Sequence, residues 1–155
     1  MTEWLTSLGI NLDLIPHLTA LLVAYALALP IGWDRERNER SAGLRTFPLV
    51  AIATCGFVQA AERITLGEAE ATARIVEGLI TGMGFIGGGA ILVVKNSVRG
   101  TATAASLWAT GAIGTAVGLG AYDTAIVLSV VTFLTLRVMK NFKPSKDEDD
   151  IQEDR

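Results

Sequence analysis

The sequence predicts an all-α polytopic membrane protein: a bundle of about five transmembrane helices, N-terminus outside and C-terminus cytoplasmic. Three observations carry that expectation. Half of the 155 residues are hydrophobic and only 19% are charged, with a mean hydropathy of +0.43. Charges are nearly absent from several windows of about twenty residues, the length a helix needs to cross a hydrocarbon core, and they crowd the segments between. The basic residues are also distributed unequally between the two sides that such spans define.

Residues 1–13 carry Glu3 and Asp13 and have no Lys or Arg before the first apolar run, so they make a poor signal peptide. They are expected to be retained as a short extracytoplasmic segment, with Trp4, Leu5, Leu8 and Ile10 suited to an interfacial helix. The transmembrane domain is expected over 14–139. Its first span, 14–33, is strongly apolar, with Pro30 as an expected kink or stop. The second, 46–61, is uncharged and has Pro48 in its first turn. The third, 75–94, is uncharged apart from Glu77. The fourth, 101–118, is built mainly from Ala, Thr, Gly and Ser and scores weakly by hydropathy. The fifth, 122–139, is strong except for Asp123 near its start and Arg137 near its end. Residues 140–155 turn basic and then acidic (DEDDIQEDR) and read as a disordered cytoplasmic tail.

Loop charge supports five spans over four. Arg35, Arg37, Arg40, Arg45, Lys95, Arg99, Arg137, Lys140, Lys143, Lys146 and Arg155 fall on one side, whereas only Arg63 and Arg74 fall on the other. The basic side is expected to be cytoplasmic.

The stretch GMGFIGGGA at 82–90 matches the dinucleotide fingerprint through Gly82, Gly84 and Gly87. That fingerprint requires a preceding strand, and an acid about 20 residues on. Here an apolar helix-length run precedes it, and residues 102–112 contain no acid. The glycines therefore read as packing surfaces, Gly78-x-x-x-Gly82 and Gly84-x-x-x-Gly88, against which another helix approaches closely. The expected partner is the fourth span, whose Ala104, Gly111, Gly114 and Gly118 form a second stripe of small residues beside Trp108. A sharper alternative is that Gly87, Gly88 and Gly89 break the helix and expose carbonyls to an ion.

Charged residues at the membrane edge supply the candidate sites. The connector 34–45 alternates acid and base. It reads either as a topology determinant or as a functional edge, where Asp34 and Glu36 hold a cation or the arginines dock a partner. Magnesium suits one or two carboxylates with retained waters, so Asp34 and Glu36 are the metal-site candidates. Arg99 is placed to pair with one of them. Glu77 and Asp123 are expected in first helical turns, where the dipole favours a carboxylate. His17 and Cys55 stand in different spans and form no metal cluster; Cys55 has no disulfide partner. No nucleophile–base arrangement indicates an enzyme, and no soluble basic domain indicates nucleic-acid binding.

The blocks AGLRT (42–46), GFIGGGAIL (84–92), VRG (98–100) and TAASLW (103–108), in this order, resemble the MgtC/SapB bacterial membrane proteins over roughly residues 32–120. The resemblance places Asp34, Arg35, Arg45, Arg99 and Trp108 at family-typical positions. It implies a multi-pass inner-membrane protein of magnesium homeostasis that adapts the cell to low magnesium or acid stress. It also implies action on another membrane protein, such as the proton-translocating ATP synthase. The chain departs from the family pattern at Ser97 and Ala102, where Asn is typical, and at Glu77, where a small residue is typical. Many relatives carry a C-terminal soluble domain where an acidic tail is expected here.

Two functions therefore compete. One is a small bundle, without a resident cofactor, that binds and modulates another membrane protein. The alternative is a magnesium channel or transporter that conducts as a homo-oligomer, the simplest being a dimer, with Mg2+ as ligand or substrate. A third option is a scaffold that senses anionic lipid through Lys140, Lys143 and Lys146.

Overall fold

The computed structural model describes residues 14–38, 42–94 and 97–139. They form α1 (Leu14–Asn38), α2 (Thr46–Thr65), α3 (Ala69–Gly89), β1 (Leu92–Val94), β2 (Ser97–Arg99), α4 (Thr101–Gly118) and α5 (Tyr122–Met139). The segments expected at 1–13 and 140–155 lie outside the described residues. Helices α1, α2 and α5 are long and apolar enough to cross a membrane. The connectors are short, so successive helices reverse direction and pack as a bundle.

Three of the expected spans begin where α2, α4 and α5 begin. The first extends further than expected: α1 runs through Pro30, which does not stop it, and carries Asp34–Arg37 as helix. The third is displaced. Helix α3 starts at Ala69, before the apolar run, because Glu70 and Arg74 pair across one turn at 2.7 Å and carry the helix into charged sequence. It ends at Gly89, where three successive glycines offer little helical propensity. The apolar residues beyond it form a hairpin instead of more helix, with Leu92 opposite Arg99 and Val93 opposite Val98. β-Branched Val93 and Val98 favour that extended pairing. Gly100 closes the hairpin at φ +84°, and a Cβ there would strike the carbonyl oxygen of Ala90.

Helix α4 is the axis of the bundle and packs against all four other helices. Eleven of its eighteen residues are buried, Ile113 and Thr110 completely. It shares one apolar core with buried, often small residues of its neighbours: Ala20, Ala24 and Ala28 of α1, Phe47, Ala51 and Cys55 of α2, and Ala125 of α5. A Cβ at Gly114 would strike the Ala51 carbonyl oxygen and the Thr54 hydroxyl of α2. One at Gly118 would lie 2.7 Å from Val58 Cβ, and one at Gly111 would lie 2.8 Å from Met83 Cγ of α3. These three glycines are the contact itself, because helix backbones in a membrane associate by close packing.

The glycines of α3 behave differently. Gly78, Gly82, Gly84 and Gly88 are exposed, and a Cβ at any of them would meet nothing within 4 Å. The expectation that they seat α4 is therefore corrected. The contact runs through Met83 and Gly87, the two buried residues of α3. With 3.6 residues per turn, Gly78 and Gly82 lie on the opposite side of the helix from Gly87. Trp108 also lies outside the packed interior, 48% exposed on the outer face of α4.

Three interior hydroxyls bond back to the preceding turn of their own helices. Thr54 donates to the carbonyls of Val50 and Ala51, Ser106 to that of Thr103, and Thr110 to that of Ser106. Ser129 of α5 bonds between helices. It donates across to the Leu27 carbonyl of α1 at 2.7 Å and ties the last helix to the first.

Candidate functional site

The charged edge is organised where α1 ends and α2 begins. Helix α1 continues past Trp33 far enough to carry Asp34 and Arg35 inward, where they are 8% and 5% exposed. The Arg35 guanidinium donates to Asp34 Oδ2 at 3.0 Å, and each residue is engaged beyond this pair. A buried carboxylate needs such a partner, since an unpaired charge costs several kcal/mol to bury.

Glu36 has a separate role. It lies on the exposed side of α1, and its Oε2 accepts the backbone N–H of Leu44 at 3.0 Å. That bond draws the connector back against α1. Gly43 accommodates the approach, because a Cβ there would strike the Glu36 carboxylate. Gly32 completes it from α1: a Cβ at Gly32 would lie only 3.3 Å from the Gly43 carbonyl oxygen and from Phe47 Cβ. The Gly43 carbonyl then accepts the N–H groups of Thr46 and Phe47 and starts α2. The block AGLRT is thus explained by the turn it makes, with buried Phe47 and Pro48 anchoring it.

The arrangement at this edge differs from the expected one. Asp34 and Glu36, two residues apart on a helix, point to different surroundings, so their carboxylates hold different partners and do not converge. Among the described residues, no group of three or more His, Cys, Asp or Glu is placed to hold a metal ion. Arg99 is exposed on β2, and among the described residues it forms no ion pair with Asp34 or Glu36. Arg45 is exposed at the N-cap of α2.

Of the other candidates, Asp123 lies in the first turn of α5, as expected. Glu77 does not begin a helix: α3 starts at Ala69, so Glu77 sits well inside it, exposed, and the dipole reading fails. Gly87, Gly88 and Gly89 present no unwound loop. The helix runs through to Gly89, and the Gly87 and Gly88 carbonyls accept the N–H groups of Ala90 and Ile91 at 3.1 Å. Sequence reasoning missed Gly32, Gly43 and Ser129. Gly43 left a signal inside its motif, a glycine between charged connector and helix; Ser129 left none.

Comparisons with known proteins place the sequence in a family. The model of the MgtC family matches residues 21–144. The chain is 36% identical over 135 residues to Protein SrpB of Synechococcus elongatus, covering 79% of this chain and 74% of the relative. It is 34% identical over 118 residues to Protein MgtC of Salmonella typhimurium, covering 76% of this chain and 50% of the relative. It is 36% identical over 124 residues to the Putative magnesium transporter YhiD of Escherichia coli, covering 76% and 58%. The chain therefore spans about half the length of the latter two. No solved structure matches it. With a family model covering most of a five-helix bundle of membrane-spanning character, this is a bacterial multi-pass membrane protein, and the chain belongs to the MgtC family.

Proposed function

We propose that this protein serves magnesium homeostasis in the inner membrane by modulating another membrane protein under low magnesium or acid stress. The basic end of the bundle, with Arg35, Arg45 and Arg99, faces the cytoplasm in this reading. The observation that carries it is the filled axis: Gly114 and Gly118 bring α4 against the α2 backbone, and Phe47, Ile113 and Val117 occupy the interior. A bundle closed in this way offers surfaces to partners more readily than a path to ions. The proton-translocating ATP synthase is the partner that the family resemblance suggests. In this reading the Asp34–Arg35 pair fixes the geometry of the edge that a partner meets.

A second reading is transport of magnesium, favoured by the name of the Escherichia coli relative and by the buried carboxylate of Asp34. Conduction would then need an oligomer, because the axis of one chain is filled. Magnesium flux into liposomes containing purified protein separates the two. Modulation predicts no saturable flux from correctly inserted protein, and loss of low-magnesium growth in Asp34→Asn with insertion intact. Saturable flux that Asp34→Asn abolishes would establish transport and overturn the first reading.

A further inference from the structure

Helix α3 leans on α4 through Met83 and Gly87 and leaves a groove of about 790 Å³ between itself and α2. This lies within the roughly 300–1,000 Å³ of small-ligand sites. The groove is ordered by polarity. Arg45 and Thr46 stand at one end, and Leu49, Phe57 and Phe85 are among the apolar groups that continue it. Gly78 and Gly82 form a flat wall on the α3 side, where a Cβ would meet nothing. Among the described residues, Arg45 is the single charged group lining the groove, and it makes no ion pair there. The first N–H groups of α2 are already taken by Gly43, so the guanidinium and the Thr46 hydroxyl are the polar features of this end.

We propose that the groove binds one anionic phospholipid, its phosphate on Arg45 and an acyl chain along the Gly78–Gly82 wall. The charge order of the groove matches that of the lipid. A lone guanidinium at the membrane edge favours a bidentate phosphate contact, and a hydrocarbon chain fills a smooth apolar channel that is open to the bilayer. Phe57 and Phe85, 62% and 86% exposed, form the lips. A phospholipid with a cationic headgroup would bring a positive charge to Arg45 and lose the advantage. The proposal stands on the groove alone and does not depend on how the protein acts on magnesium.

The test uses full-length protein in mild detergent, offered an equal mixture of phosphatidylglycerol and phosphatidylcholine with identical chains. Native mass spectrometry counts which lipid is retained, and thermal unfolding follows each lipid separately. The expected result is preferential retention of phosphatidylglycerol, a larger rise in Tm with it, and a loss of that preference on the order of tenfold in Arg45→Gln. Gly82→Leu, which fills the groove, removes the response to both lipids. Equal retention of the two lipids by the wild type overturns the proposal, even if Arg45→Gln does not fold. So does a preference unchanged in Arg45→Gln. A wild-type dimer that Gly82→Leu dissociates, with no lipid response, would overturn it too and assign the groove to a second copy of the chain.

Discussion

Helices α3 and α4 are both rich in glycine, yet they use it in opposite ways. In α4, Gly111, Gly114 and Gly118 sit where an added methyl group would collide with Met83, Ala51, Thr54 or Val58. In α3, Gly78, Gly82, Gly84 and Gly88 face outward, and an added methyl group would meet nothing. Spacing does not separate the cases, since Gly114–Gly118 and Gly84–Gly88 are both four residues apart. Location in the bundle does. Helix α4 packs against all four other helices and needs short interaxial distances on its buried side, whereas α3 is peripheral and buries only Met83 and Gly87. A four-residue glycine repeat therefore marks a surface that permits close approach, and the fold determines whether anything within the chain approaches it.

The comparison breaks most readily at Gly114. Replacing it by leucine would force a side chain into the α2 backbone, and overpacking of even a modest kind costs about 1–3 kcal/mol. Gly114→Leu is expected to leave little folded protein, seen as loss of the monodisperse peak in detergent and of cooperative thermal unfolding. Wild-type yield and Tm would remove α4 from the axis. A smaller effect is expected at the α1–α5 tie. Ser129→Ala deletes the bond to the Leu27 carbonyl and should lower stability by about 0.5–1.5 kcal/mol, read as a drop in Tm without a change in the shape of the transition. An unchanged Tm would show that α5 is held by apolar packing alone. The smallest effect is expected at Gly84. Gly84→Leu should change the stability of the isolated chain by no more than about 0.5 kcal/mol, as an outward-facing substitution does. A large loss of stability there would mean that the outer face of α3 is covered by another molecule, and the contrast with α4 would be one of partner and not of use.

Much of this architecture is legible in the amino-acid order. The charge-free windows locate the helices, because a carboxylate or guanidinium in hydrocarbon is costly enough to exclude charges from a span. The starts of α2, α4 and α5 follow from Pro48, from Gly100 and from the small loop before Tyr122. The limits of α3 do not follow, for two physical reasons. Charged Glu70 and Arg74 satisfy each other on the helix surface and extend it into sequence that hydropathy excludes. At the other end, Val93 continues the apolar run but pairs as strand, since hydropathy does not distinguish helix from hairpin. At the edge, the motif AGLRT and the acids before it identify the right residues without their relations. Asp34, Arg35, Glu36 and Arg45 are visible as a cluster in sequence. Their division into a buried pair, a backbone acceptor and an exposed groove residue depends on the helical phase of α1 and on how far α1 extends.

Composition, charge placement and ordered motifs are properties of the chain in one dimension, and they suffice to specify a helical membrane bundle of this family. Three further features depend on how the helices meet: α4, less hydropathic than α1, α2 and α5, is the axis; Gly78, Gly82, Gly84 and Gly88 of α3 face outward while Gly87 faces α4; and Asp34 turns inward while Glu36 turns to Leu44. Each is a question of which face meets which neighbour. Hydrophobicity does not answer it in a bilayer, where lipid and protein interior are equally apolar, so close packing and the pairing of polar groups make the choice.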